Sequence, residues 1–395
     1  SGFTQQKFSL RQQKNLSSGT LDSGLTIAYL DQQTAGFVVG ENSYLRKQLS
    51  SQNVNPDAFR ESLSVRAWSS YHVQRDNGVE WVITPFVRYT DMDFFLHFAP
   101  GTPLESNKQK SVGLQTALNW QPGEAFKISA GLDLDIANGS LLETQAEPTS
   151  GSAFLRATVP AGVHYDYEVN AVNVAAHISA QWQLANEWAL SIGSRLEQQF
   201  YDYNNLAVSG RVREDGTTCG FGGCRFSRPA DQSDRFTNLS PRVELSHALG
   251  MNSRFFAIAS TFARAPQATE LYRLQRAQVV ADLDSEKSKS LELGFQWLTN
   301  DLALNVSLWG MKKTNVILRD SNFFNVADGE TSHYGLEGSF TINPARNIEI
   351  SGTLNFAQHE YRNNAAAGSE PIKGNEIDTA PGFFGDLRLL WKITE

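Results

Sequence analysis

Strict period-2 alternation recurs in segment after segment of this chain, and it restricts the fold to strands with two unlike faces. In residues 111–121, Val112, Leu114, Leu118 and Trp120 share one face, while Ser111, Gly113, Gln115 and Asn119 share the other. In 290–298, Leu291, Leu293, Phe295 and Trp297 oppose Ser290, Glu292, Gly294 and Gln296. In 347–357, Ile348, Ile350, Leu354 and Phe356 oppose Glu349, Ser351, Thr353 and Asn355. Composition agrees, since 11% aromatic residues, 30 Gly and only 3 Met suit strands and turns better than helices. The pattern predicts an all-β chain of about fifteen strands.

A soluble sandwich and a membrane barrel both alternate in this way, so the connections have to separate them. Short turns are predicted near 15–19, 76–78, 121–124, 185–187, 250–253, 299–301 and 343–346. Between them lie longer connections at 31–57, 99–110, 139–164, 204–234, 265–286, 320–331 and 362–380. In an up-and-down meander this order puts every tight turn at one rim and every long loop at the other, as in outer-membrane barrels. Trp81, Trp120, Trp182, Trp188 and Trp297 lie within a few residues of a short turn. They are placed as an aromatic girdle at a membrane interface would be, although Trp also favours strand ends in general.

A mean hydropathy of -0.35 does not exclude a barrel, because every second residue faces a wet lumen. No apolar run approaches the roughly eighteen residues of a membrane helix. The opening residues SGFTQQKFSL read as strand and lack the features of a signal peptide. With an odd strand count, this start predicts that parts of the barrel lie outside the chain.

The net charge of -8, without a dense Lys/Arg run, argues against nucleic acid as a partner. Cys219 and Cys224 sit in CGFGGC, which predicts a disulfide in an oxidising compartment, with two free thiols as the alternative. Zinc would need two further ligands that the neighbouring sequence does not supply. The 7 His are scattered, and no H-E-x-x-H, nucleophile elbow or Walker loop is present. No catalytic residue, bound metal or cofactor is therefore predicted. Asp133 and Asp135 fall opposite Leu132, Leu134 and Ile136, which makes them lumen residues, either an acidic patch beside a solute path or part of a solvated wall.

Several stretches resemble the barrel of TonB-dependent outer-membrane receptors. FTNLSPRVELSHAL at 236–249 and FFAIASTFARAPQATELY at 255–272 are similar to that family's N-x-SPR strand and R-x-P-x-x-x-ELY segment. LDSEKSKSLELGFQW at 283–297 and VADGETSHYGLEGSF at 326–340 are similar to its PE-x-S-x-x-x-ELG and G-x-x-x-x-x-G-x-E strands. GNEIDTAPGFFGDLRLLW at 374–391 follows in the same order. FVVGENSYLRKQL and NPDAFRESLSVRAW match the iron-complex branch more loosely.

The resemblance implies a transmembrane antiparallel up-and-down β-barrel, with residues 1–395 forming about fifteen strands of a barrel of roughly 22. The plug domain, the segment that touches TonB and the final strands are expected outside the chain. The implied activity is import of a ferric siderophore or similar iron complex across the bacterial outer membrane. The expected partners are that complex, TonB through an N-terminal region, and lipid with lipopolysaccharide around the wall. A passive porin-like channel is the rival within transport, and an adhesin or a bacteriocin and phage docking barrel is the rival outside it. A soluble all-β binding protein ranks last.

Within the motifs, Arg264 before Pro266 marks a strand exit, since proline removes a donor and restricts its neighbour. Gly335 and Gly338 predict a bend or a close approach. Binding groups concentrate on loops held by a rigid scaffold, so cargo contacts are sought there. The candidates are Phe95, His97, His164, Tyr165, Tyr167, Arg273, Arg276, Phe323 and Phe324. Aromatic faces and guanidinium groups suit an anionic, ring-bearing chelate, while an upper aromatic girdle is the plainer account of the same residues.

Overall fold

The computed structural model describes residues 2–75, 78–365, 370–378 and 380–393. The first eight strands are β1 (Phe3–Leu16), β2 (Gly19–Gln33), β3 (Phe59–Gln74), β4 (Val79–Phe95), β5 (Leu104–Gly123), β6 (Phe126–Gln145), β7 (Gly162–Gln183) and β8 (Trp188–Asn205). After them come β9 (Phe226–Ser227), β10 (Gln232–Ala248), β11 (Ser253–Arg264), β12 (Leu274–Gln275), β13 (Glu286–Leu298), β14 (Leu302–Arg319), β15 (Asn325–Ala345), β16 (Ile348–Tyr361) and β17 (Phe383–Trp391). All but β9 and β12 form one 15-stranded sheet in which chain neighbours are sheet neighbours. Each pairing within it is antiparallel, from β1 with β2 through to β16 with β17. Among the described residues, β1 and β17 pair on one side only, so the sheet is an arc with two edges. The α-helices among the described residues, α1 (Lys47–Ser50), α2 (Ala153–Thr158) and α3 (Ala268–Tyr272), lie in the long loops, and no described helix is long and apolar enough to cross a membrane.

The predicted alternation of short and long connections is present. Tight connections at 17–18, 124–125, 184–187, 249–252, 299–301 and 346–347 share one rim. Loops at 34–58, 96–103, 146–161, 206–231, 265–285 and 320–324 share the other. Asp76 and Asn77 of the expected 76–78 turn, and parts of the expected 362–380 connection, lie outside the described residues.

Three of the expected long connections are shorter than the sequence indicated. β5 begins at Leu104, β6 runs on to Gln145 and β15 begins at Asn325. For β5 the cause is that 105–110, ESNKQK, is polar on both faces, so it carries no alternation although its backbone still completes a ladder with β6. Strands of 20 and 22 residues, as in β6 and β7, are far longer than the ~10 residues that crossing a bilayer requires.

The apolar face points outward. Val112, Leu132, Leu291 and Leu293 are each more than half exposed there, and the five tryptophans near the short turns are exposed on the same face. On the inner face, aromatic rings lie over cross-strand glycines: Phe86 over Gly113, Phe256 over Gly294 and Trp309 over Gly335. Gly335 is thus a place of close approach, as its motif position indicated. The buried apolar core is not inside the sheet but at the long-loop rim. There Tyr165, Tyr167, Tyr203, Phe226, Leu271, Tyr272, Leu274 and the half-cystines Cys219 and Cys224 pack together.

Candidate functional site

The loop joining β11 to β13 builds this rim. β11 ends at Arg264, Pro266 turns the chain, and helix α3 (Ala268–Tyr272) follows behind a capping box in which the Gln267 amide donates to Glu270 Oε2 at 2.7 Å. Arg264 closes the loop at both ends. Its Nη1 pairs with Glu270 Oε2 at 3.0 Å and its Nε with Glu286 Oε2, at the start of β13, at 2.8 Å. The RAP and ELY motif residues therefore serve as anchors, in line with the reading of Arg264 as a strand exit.

Past α3, the loop is held onto the inner wall. Tyr272 is fully buried, stacks on Tyr203 with ring centroids 4.4 Å apart, and donates its hydroxyl to Asp234 Oδ2 at 2.7 Å. Tyr201 donates to Pro266 O at 3.1 Å and Tyr165 to Leu274 O at 2.5 Å. Arg273 reaches two wall carboxylates, Glu105 at 2.8 Å and Glu143. His164 stacks on Phe226 at 4.6 Å and places its ring nitrogens 3.1 Å from Glu143 Oε1 and 2.8 Å from Pro160 O. Burial pushes the Glu143 carboxyl up, but the His164 hydrogen bond and the Arg273 charge outweigh it and leave Glu143 below the usual carboxylate range. Burial pushes the Tyr165 and Tyr167 hydroxyls up, so both stay neutral.

Beneath α3 lies a cavity of about 510 Å³ between this roof and the inner faces of β5 to β8. Asn107, Gln109, Asn173, Gln199 and Tyr201 line the wall, and Gln267 and Thr269 line the roof. Arg88 is paired with Asp135 at its edge, and Arg195 with Asp133 at 2.5 Å nearby. Asp133 and Asp135 are thus compensated by arginines and are not a free acidic patch. Leu141, Val169, Ala137 and Ala171 complete the wall, so the cavity offers amides, hydroxyls and balanced charge on a largely apolar lining, a surface for a solute with both polar and apolar parts. Among the described residues no group of three His, Cys, Asp or Glu converges to hold a metal ion.

The predicted site residues divide into three sets. His164, Tyr165 and Tyr167 lie in β7 and not in a loop, and all three are buried; Tyr167 also lines the cavity. The 139–164 connection is shorter than expected mainly because β6 continues through GSLLETQ at 139–145, where the adjacent Leu141 and Leu142 break the alternation, and β7 begins at Gly162. Arg273, Arg276 and Phe323 converge on the rim, and Phe324 is half-buried beside them with its amide held by Asp320. Phe95 and His97 stay apart, packing on Phe59 and Phe98 respectively, and line neither the cavity nor the rim core. Glu105, Glu143, Tyr203 and Gln267 escaped the sequence reading. The one available signal was the spacing of Tyr201 and Tyr203, which repeats the Tyr165 and Tyr167 spacing on a strand face.

The predicted disulfide is formed. Cys219 and Cys224 are joined with Cα atoms 4.9 Å apart, and both are buried in the rim core. It closes a hairpin whose flanks bond the preceding loop, Gly220 N to Ala157 O at 3.2 Å and Arg225 N to Thr158 O at 2.9 Å.

An up-and-down antiparallel wall, apolar outside and polar inside, with long loops folded inward over a cavity, defines a barrel of the receptor class. The chain belongs to the family described as TonB dependent receptor-like, beta-barrel, whose family model matches residues 4–394. Solved structures share the fold. The ferric citrate transporter FecA in its unliganded form superposes with a TM-score of 0.74 at 16% identity, covering 98% of this chain and 55% of FecA. The ferric yersiniabactin uptake receptor FyuA from Yersinia pestis gives 0.68 at 13% identity, with 98% and 56% covered. The siderophore receptor PiuA from Acinetobacter baumannii gives 0.67 at 13%, with 100% and 66% covered. The chain thus spans between about half and two thirds of the length of these structures. No curated protein matches it in sequence.

Proposed function

We propose that this chain is the wall and loop rim of an outer-membrane receptor that binds a ferric siderophore or similar iron complex and imports it with energy supplied through TonB. The observation that carries this is the roofed cavity on the inner wall, lined by amides and hydroxyls among apolar side chains and formed by an inward-folded loop that is tied to Glu105, Glu143, Tyr203 and Asp234. The family match and the names of FecA, FyuA and PiuA support the cargo class. Tyr167, Tyr201, Gln199 and Gln267 are the proposed cargo contacts in the cavity, and Arg276 and Phe323 above it. His164, Tyr165 and Arg273 act behind them by fixing the roof. In this reading, TonB engages parts of the receptor beyond this chain, and the exposed leucines and tryptophans of the outer face meet lipid and lipopolysaccharide.

A passive channel fits less well, because a roof fixed by buried rings and ion pairs obstructs free diffusion along this part of the wall. The test is growth of an iron-starved strain lacking other receptors, complemented with the full-length gene and fed a panel of ferric complexes, vitamin B12 or sugars, with and without TonB. Rescue by at least one ferric complex, only when TonB is present, is the expected result. Rescue by none of them, or equal rescue without TonB, overturns the proposal.

A further inference from the structure

The 7 histidines are scattered along the chain, but strand pairing brings two of them together. His333 in β15 and His359 in β16 are direct cross-strand partners, and their Nδ1 atoms stand 2.9 Å apart. Both belong to the inner face, on the same side of β15 as Gly335, which Trp309 covers. The ring centroids are 5.1 Å apart, so the two nitrogens lie between the rings and meet head on. On the far side of His333, Nε2 lies 2.8 Å from Thr331 Oγ1. An Nε2–H donated to that hydroxyl leaves the His333 Nδ1 with its lone pair, and holding one ring nitrogen in this way is how proteins present the other to a metal.

Strand β14 supplies a third donor. Met311 is the direct partner of His333 on the side away from His359, so Met311, His333 and His359 form one row across three strands, all half-buried. Directly opposed residues have Cβ atoms about 4.5–5.5 Å apart, within reach of a flexible thioether. Ser290 and Ser260 continue the row on β13 and β11, so this methionine stands in a polar row and not in an apolar core. Among the described residues no Asp, Glu or third His joins the pair, which leaves zinc without the closed set of ligands it takes in structural sites. Two imidazoles and a thioether are instead a soft to borderline set, one that suits copper(I). Lys313, cross-strand from Thr331, puts a positive charge beside the row, and it repels a singly charged ion less than a doubly charged one.

We propose that His333, His359 and Met311 form a copper(I) site on the inner wall of β14 to β16. The ion takes the place of the proton shared by the two Nδ1 atoms, and that proton passes to His359 Nε2, so both rings stay neutral and no electron is exchanged. Bonds of about 2.0 Å, as imidazole makes to zinc, place two opposed nitrogens about 4 Å apart, so the rings part by about 1 Å on binding. Met311 closes the third position. Both cysteines of the chain are held in the disulfide, so no thiolate of its own competes for the ion. None of the three residues lines the cavity or joins the rim core, which separates this site from the proposed path of the iron complex.

The test is competition for copper(I), kept reduced by ascorbate, between the full-length protein in detergent micelles and bicinchoninate, whose copper(I) complex is coloured. The unaltered protein is expected to withdraw one equivalent more than His333→Ala or His359→Ala. Met311→Leu nearly conserves volume and so keeps the fold. It is expected to weaken retention at least tenfold and to remove a sulfur neighbour from the X-ray absorption spectrum of the bound copper. Met251→Leu, in the exposed 249–252 connection, is expected to change neither reading. Equal retention by the unaltered protein and both histidine variants overturns the proposal, and so does undiminished retention in Met311→Leu. Displacement of the copper by an equal concentration of zinc(II) also overturns it, because the thioether then confers no preference. Neither a ferric complex nor TonB takes part, so failure here leaves the import proposal standing, and the growth assay can fail without affecting this site.

Discussion

Arg273 holds the roof to the wall, and its partners decide how that bond responds to chemistry. Glu105 and Glu143 are both nearly buried, whereas the Arg273 head is partly exposed. Removing the arginine leaves two carboxylates without their cation, a costlier state than the loss of the contact itself. Arg273→Met is expected to loosen residues 268–274 by about 3 kcal/mol, the low end for a buried pair. Hydrogen-exchange protection factors of those amides are the measurement, with the strands of the sheet unchanged. Acid should act on the same bond. Glu143 titrates below its ordinary value of 4.5 in the folded chain, so its contribution is present above that value and is lost as pH falls through the lowered one. Protection of 268–274 is expected to hold from pH 7 to 5 and to drop only at lower pH, a drop absent in Glu143→Gln.

Within the strands, the inner wall is smoothed by rings lying on glycines. At Gly294 a Cβ would stand 2.0 Å from the Phe256 ring, and at Gly113 it would stand 2.2 Å from that of Phe86. Each pair is directly cross-strand, which fixes the register as well as filling the space. Gly294→Val forces Phe256 off its glycine, so a loss of about 1–3 kcal/mol is expected. It should appear as a lower temperature for the unfolding shift on a detergent gel. These pairs were legible only in part. The alternation of 290–298 placed Gly294 opposite Leu293 and Phe295, yet nothing in one strand names the ring that will cover it. The same limit hid Glu105 and Glu143, which become neighbours only when β5 pairs with β6 and then share Arg273.

For the molecule as a whole, the two faces of the sheet set the solvent on each side. Leu293 is 52% exposed on the outer face, a few residues from Trp297 at the short-turn rim. If that face meets hydrocarbon, Leu293→Arg costs about 2–4 kcal/mol near the midplane, whereas in water it costs almost nothing. Unfolding from lipid vesicles in guanidinium measures the difference, and no change would remove the membrane from this face. The sequence alone determined the strands, their order and the segregation of short turns from long loops, because side-chain period and turn chemistry are local properties. It also located the disulfide, since CGFGGC closes on itself. Only the tertiary structure decided that the β11–β13 loop folds inward, that β7 carries His164, Tyr165 and Tyr167 into a buried rim core, and that Arg276 stacks on Phe323. Those contacts join residues from about 40 to 170 positions apart. No periodicity spans such distances, and only the closing of long loops onto a rigid wall brings the groups together.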